Sequence, residues 1–171
     1  MTTSKGHDLL LGVVDYLAKK NCRLIVLGSG EAKYEQAHLA QAAAHPGKIA
    51  VHIGVDEALS HLAFAGADFF LMPSHTEPCG LTQLYAQVYG TVPLASRVGG
   101  LIDTVRDIAT SGEQGTGLMF RPEPNDFVKA IGAALKLYAN PARYAAVQQS
   151  AMRQDFSWES VVGQYEQLYQ E

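Results

Sequence analysis

The sequence predicts an α/β fold in which a parallel sheet carries helices on both faces and a helical tail closes the chain. Three observations carry that reading. Five short apolar runs recur, mostly bounded by Gly or Pro; the segments between the first four are long enough for a helix; and the strand-like runs stop after Phe120.

Taken in order, Leu10, Val13, Val14 and Leu17 form a first helical stripe ahead of the run "RLIVLG", Arg23 to Gly28. The Ala-rich "AHLAQAAAHPG" reads as a helix that stops at Pro46 and Gly47. "IAVHIG" (Ile49 to Gly54) and "DFFLMP" (Asp68 to Pro73) are the next strands, and Leu81, Leu84, Tyr85 and Val88 form a second apolar stripe at helical spacing. "VPLA" (Val92 to Ala95) and "GLMF" (Gly117 to Phe120) complete the strands. Strand and helix alternating at roughly 20 to 25 residues imply right-handed βαβ crossovers, a Rossmann-like layout. In such sheets ligands sit beyond the carboxyl ends of the strands.

Beyond Phe120 two helical stripes are split near Asn140 and Pro141. A third places Trp158, Val161, Val162, Tyr165, Leu168 and Tyr169 on one face, with Ser157 as N-cap. The chain thus reads as one domain over residues 1–171, a strand/helix core to about 120 and a helical tail from about 121.

With 171 residues, 47% apolar and 18% charged, the composition is that of a globular domain with a buried core rather than a disordered chain. Thirteen basic against 17 acidic residues give a net charge of −4, and no dense Lys/Arg run suggests a nucleic-acid partner. No apolar run is long enough to span a bilayer and the start lacks a cleavable-signal layout, so a soluble cytoplasmic protein is expected. Two distant cysteines, Cys22 and Cys79, point to reduced thiols. The six histidines (His7, His38, His45, His52, His61, His75) show no paired metal spacing, so no metal site is supported.

Four places carry candidate chemistry. "VLGSGE" sets Gly28 and Gly30 after the first strand, where backbone N–H groups could approach a sugar or phosphate; a plain tight turn explains them equally well, and the third glycine of a dinucleotide fingerprint is absent. "RVGGLIDTV" pairs Gly99 and Gly100 ahead of Asp103, a sugar-site loop or a structural turn with an acid at a helix start. In "MPSHTEPCGLTQLY", Pro73 ends a strand and the N–H groups of Gly80, Leu81 and Thr82 should point outward together as an anion site. Glu77 stands beside that site, serving either a ligand or the helix dipole. Cys79 has only His75 nearby as a base, which makes a thiol nucleophile a poor reading. Lys5, in "SKGHDLL", could neutralise a phosphate or be an ordinary surface charge.

Read together, "PSHTEPCGLTQLYAQVYGTVPLASRVGGLIDTV" closely resembles the corresponding stretch of bacterial glycogen synthases and plant starch synthases, retaining glucosyltransferases of the GT-B fold (glycosyltransferase family 5). "SKGHDLL", "VLGSGE", "IGVDEALSHLAFAGADFFLMPS" and "MRQDFSWESVVGQYEQLY" are similar to further blocks of that family in the same order. The family has two Rossmann-like domains, and this chain resembles the C-terminal one, which binds ADP-glucose; the N-terminal domain, which supplies most of the α-1,4-glucan acceptor groove, has no counterpart. Met1 to Ser4 replace the family's "SR", so a phosphate-binding arginine is not carried over, and the chain reads as starting inside a motif.

The resemblance implies that Lys5 meets the donor phosphates, that Glu77 contacts the glucose or supports charge at its anomeric carbon, and that Cys79, Gly80, Leu81 and Thr82 line the donor. It implies a front-face displacement releasing ADP, with no second carboxylate nucleophile and no cofactor. Many related GT-B enzymes carry a second glutamate eight positions on; here that residue is Tyr85, as in the glycogen synthase branch. Val55 stands where the bacterial enzymes commonly have a tyrosine near the adenine. The expected function is donor binding for glucose transfer to the non-reducing end of an α-1,4-glucan, with little turnover by this domain alone. A UDP-sugar GT-B donor domain and a stand-alone nucleotide- or glucan-binding module are the alternatives.

Overall fold

The five apolar runs form five strands, β1 (Leu24–Gly28), β2 (Ile49–Ile53), β3 (Phe69–Met72), β4 (Val92–Ser96) and β5 (Leu118–Phe120), all paired in parallel. The computed structural model describes residues 1–170, and all their side chains except those of Glu113 and Gln164; Glu171, at the end of the expected tail, lies outside the described residues. The helices are α1 (His7–Lys19), α2 (Ala32–Ala44), α3 (Glu57–Gly66), α4 (Thr82–Val88), α5 (Leu101–Thr104), α6 (Ile108–Ser111), α7 (Pro124–Tyr138), α8 (Pro141–Met152) and α9 (Trp158–Gln170). Helix boundaries follow local chemistry. The Asp56 carboxylate accepts from Leu59 N–H at the start of α3, and Asn140 accepts from Arg143 N–H at the start of α8, where Pro141 takes the first helical position.

The α/β class is as expected, but the strands divide into two parallel sheets, β1–β2 and β3–β4–β5, rather than one. One core nevertheless unites them. Leu24, Val26 and Ile49 from the first sheet and Val92, Leu94, Leu118 and Phe120 from the second pack with α1 and α7. Phe127 of α7 is fully buried and stacks on Phe120 with centroids 4.7 Å apart. Across the second sheet, Met72, Ala95, Leu101 and Val105 make a smaller cluster. Ile25 of β1 is 58% exposed between buried Leu24 and Val26, and α3, none of whose residues is fully buried, packs Phe64 against Phe70 of β3 with ring centroids 5.2 Å apart.

The apolar stripe on α4 faces the wrong way for a core stripe. Leu81, Tyr85 and Val88 are exposed, whereas Gln83, Ala86 and Gln87 are buried. Hydrogen bonding explains the reversal. The Gln83 amide donates to the carbonyls of Cys79 (3.1 Å) and Gly80 (2.9 Å) and to the Thr104 hydroxyl (3.1 Å), and the Gln87 amide donates to the carbonyls of Gln83 (3.2 Å) and Thr104 (3.1 Å). These bonds compensate the two amide nitrogens for leaving water, whereas the Oε1 atoms of both side chains are buried without a hydrogen-bond partner among the described residues. On α9, Ser157 does stand just ahead of the helix, yet the expected apolar face is open to solvent, with Trp158 72% exposed. Among the described residues no helix is long and apolar enough to cross a membrane.

His7 and His38 join α1 to α2 through a 2.8 Å bond between Nδ1 and Nε2. Burial foremost, then the charges of His38 and the amino terminus, push His7 down to about 4, against an opposing pull from Asp8. Burial and the amino-terminal charge also lower His38. In the unfolded chain both rings take up protons near pH 6.5; the folded state resists protonation of both, and of His7 until the pH nears 4. Stability is therefore expected to fall as pH drops from about 6.5 toward 4, by up to about 1.4 kcal/mol per pH unit from His7, with His38 acting in the same direction. Urea midpoints measured across that window check this; a flat profile would remove the buried pair as its cause, and His38→Phe should shallow the slope.

Candidate functional site

The site is assembled at the carboxyl ends of the strands, starting from a 3-10 turn at Thr3–Lys5. Gly6 closes that turn in the left-handed region, φ 72°, and its N–H donates to the Thr3 carbonyl at 2.8 Å. A Cβ on Gly6 would overlap the Pro73 carbonyl, so only glycine lets the start of α1 lie flush against the end of β3. The Ser4 carbonyl accepts from His75 N–H (2.9 Å) and Thr76 N–H (3.3 Å), which docks the turn on the loop after β3.

That docking brings the two residues of most interest into contact. Lys5 Nζ lies 2.5 Å from Glu77 Oε2, with the lysine half-exposed and the glutamate side chain only 5% exposed. The Ser74 hydroxyl points at the same carboxylate oxygen from 3.4 Å. A carboxylate this buried needs a partner, and Lys5 supplies the compensating charge. The arrangement is a charge pair with one buried and one solvent-facing end, so an incoming anion can reach the lysine while Glu77 stays fixed.

The glycine pair packs directly beneath. Gly100 N–H donates to the Glu77 carbonyl at 3.1 Å. A Cβ on Gly99, φ 46°, would overlap that same carbonyl, and one on Gly100 would come within 2.7 Å of Cys79 Cα. Their absent side chains are thus needed for packing of the loop that carries Glu77. The Arg97 guanidinium meets the buried Asp107 carboxylate at 2.6 Å and the Arg97 N–H donates to the Phe120 carbonyl at 2.7 Å, which fixes the end of β4 just ahead of the pair.

Cys79 is exposed and its thiol points at the Gly80 carbonyl, 3.4 Å away. His75, the one local base for it, turns its Nε2 to Asp8 instead, at 2.9 and 3.1 Å from the two carboxylate oxygens. Burial acts to raise Asp8, but the hydrogen bond and charge of His75 outweigh it and hold the carboxyl below its usual range. Among the described residues the N–H groups of Gly80, Leu81 and Thr82 have no protein acceptor. Gly80 adopts φ 77°, and the Thr82 hydroxyl leans toward Met72 Sδ at 3.7 Å.

On the first sheet, Gly28 (φ 143°) has open space where a side chain would be, and its carbonyl accepts from Gly54 N–H at 3.0 Å, next to Val55, which is 94% exposed. Gly30 is different: its N–H donates to Glu35 at 2.7 Å and a Cβ would overlap the Met1 backbone, so its smallness serves the chain's own start. Lys5, Glu77, Cys79, Gly99 and Gly100 therefore form one contiguous cluster, with Gly30 adjoining through Met1. Ser74 and the Asp8–His75 pair, which clamps α1 to the Glu77 loop, carry no motif of their own; His75 was legible only as a base for Cys79.

Comparison with known proteins accounts for this layout. The chain is 48% identical over 171 residues to the glycogen synthase of Opitutus terrae and 47% identical over 175 residues to glycogen synthase 1 of Methylococcus capsulatus, covering all of this chain but 36% of each relative. It spans a little over a third of the length of these curated relatives. The catalytic domain of starch synthase IV from Arabidopsis thaliana, solved with ADP and acarbose, superposes with a TM-score of 0.88 at 31% identity, over 99% of this chain and 36% of that one. The architecture is that of one half of a GT-B glycosyltransferase. Since the model of the "Glycosyl transferases group 1" family matches residues 1–151, the chain belongs to that glycosyltransferase family.

Proposed function

We propose that the chain is the donor-nucleotide-binding part of a retaining glycogen synthase, which passes glucose from ADP-glucose to the non-reducing end of an α-1,4-glucan in the cytoplasm. The observation that carries this reading is the Lys5–Glu77 pair at the strand ends, a reachable cation on a fixed, buried carboxylate. When the diphosphate arrives, Lys5 turns to it and opposes the charge that grows on the departing ADP, a type of stabilisation that is commonly the largest catalytic contribution. Glu77 faces the glucose hydroxyls and the anomeric carbon. The free N–H groups of Gly80, Leu81 and Thr82, with the Cys79 wall, receive donor oxygens. Gly28 and Val55 border the nucleotide side, and no metal or other cofactor is invoked.

Calorimetry with ADP, UDP and GDP tests the donor. ADP is expected to bind best, and Lys5→Met to weaken it by about 10- to 100-fold, the loss of one charged hydrogen bond. Preferential UDP binding would move the assignment to a UDP-sugar enzyme. The glucan is proposed to dock mainly on the part of the longer enzyme that this chain does not span. Accordingly the 171-residue chain should incorporate little or no glucose into glycogen; robust turnover would overturn the two-domain account.

A further inference from the structure

Asp8 follows Lys5 by one helical turn, and His75 precedes Glu77 in the loop after β3. Among the described residues, their bond and the Lys5–Glu77 pair are the only side-chain hydrogen bonds between residues 1–19 and that loop. Asp8 is held below the usual carboxyl range against the push of burial by the hydrogen bond and charge of His75, so it is an acceptor at neutral pH. The hydrogen therefore sits on His75 Nε2, which reaches both carboxylate oxygens, at 2.9 and 3.1 Å. No other group among the described residues bonds that ring, so Asp8 alone sets its orientation.

The two side chains are 42% and 33% exposed, and ion pairs so placed contribute little to stability. What this one supplies is alignment. Lys5 carries its ammonium on a flexible four-carbon stem, so the charge is placed only as well as the backbone beneath it. That backbone is tied to the loop on both sides: the Ser4 carbonyl accepts from His75 and Thr76 N–H, and Gly6 lies flush against the Pro73 carbonyl. Asp8 closes the same seam further along α1, and it closes it on His75, the residue whose N–H already holds Ser4. From the other side, Gly100 N–H holds the Glu77 carbonyl. The loop is thus gripped at both ends, and the Asp8 grip decides how α1 sits over it.

We propose that Asp8 and His75 are positioning residues for the phosphates of the nucleotide donor: they set where Lys5 stands relative to Glu77, and neither touches the ligand. This inference rests on the donor reading. Misplacing a binding group by about 1 Å is enough to cost a large factor in what it does. The Ser4 backbone bonds survive loss of the pair, so the cost is a part of what loss of Lys5 itself brings.

Calorimetry of ADP binding tests this. Asp8→Ala and His75→Ala are each expected to weaken ADP by about 5- to 10-fold, and the double variant no further than either alone. Asp8→Asn, which keeps an acceptor for Nε2–H at the same reach, should stay within about threefold of the unaltered chain. Thermal midpoints should move by only about 2 °C. In a Lys5→Met background, Asp8→Ala should change ADP affinity no further, because the lysine through which it acts is gone. Unchanged or tighter binding by Asp8→Ala would overturn the proposal, the tighter case making Asp8 a mere repulsive charge. So would a full loss that persists without Lys5, or one that tracks a fall in thermal midpoint. If the unaltered chain binds none of ADP, UDP and GDP, the donor reading fails and takes this inference with it; if it binds and Asp8→Ala has no effect, only the positioning role fails.

Discussion

Gly6→Ala is expected to destabilise the domain by about 3 kcal/mol or more and to weaken ADP binding at the same time. Two costs combine at this residue. Its φ of 72° disfavours any L side chain, and the added methyl would overlap the Pro73 carbonyl, a backbone atom that cannot swing aside. Relief requires the start of α1 to lift from the end of β3, which carries Lys5 away from Glu77. Gly47→Ala isolates the first cost: φ there is 75°, but the new methyl meets nothing within 4 Å. That control should lose only about 1–2 kcal/mol and leave ADP affinity unchanged. If denaturation midpoints of the two variants coincide, the close approach to Pro73 is not what fixes Lys5.

Phe127→Ala is expected to cost about 3–5 kcal/mol, because its ring is fully buried, stacks on Phe120, and leaves a cavity that the surrounding α7 and β5 cannot close. The thermal midpoint should fall by roughly 10 °C or more, while Phe127→Leu should recover much of the loss. A fall of only a degree or two would mean that the two sheets draw little of their stability from the core they share.

Strand positions were legible because Val, Ile, Leu and Phe runs between Gly and Pro leave few other options, and all five appear where the pattern puts them. The helix break at Asn140–Pro141 was legible for the same kind of reason, a cap followed by a residue that belongs at a helix start. The inner face of α4 was not. Periodicity counts apolar residues, whereas Gln83 and Gln87 are buried with amide hydrogen bonds to the neighbouring Cys79 and Gly80 carbonyls and to Thr104, which lies far along the chain. The division into two sheets was equally hidden, since strand signals do not reveal which edges meet.

At the site, Lys5 and Glu77 were singled out separately, 72 positions apart, and the fold joins them. Gly99 and Gly100 could be read as a ligand loop or a turn; the structure shows why side chains are excluded there, by the approach of the Glu77–Cys79 backbone. Asp8 gave no signal, because a carboxylate in the first turn of a helix is unremarkable until a histidine from a distant loop is seen against it.

The Gln83 amide has a mechanical consequence. It holds Cys79 and Gly80 of one loop and Thr104 behind the other, while Gly100 clasps Glu77 from the opposite side. The loops that follow β3 and β4 are thereby riveted into a single working part. A force on either one drags the other along, so the wall they form responds as a plate, not as two independent fingers.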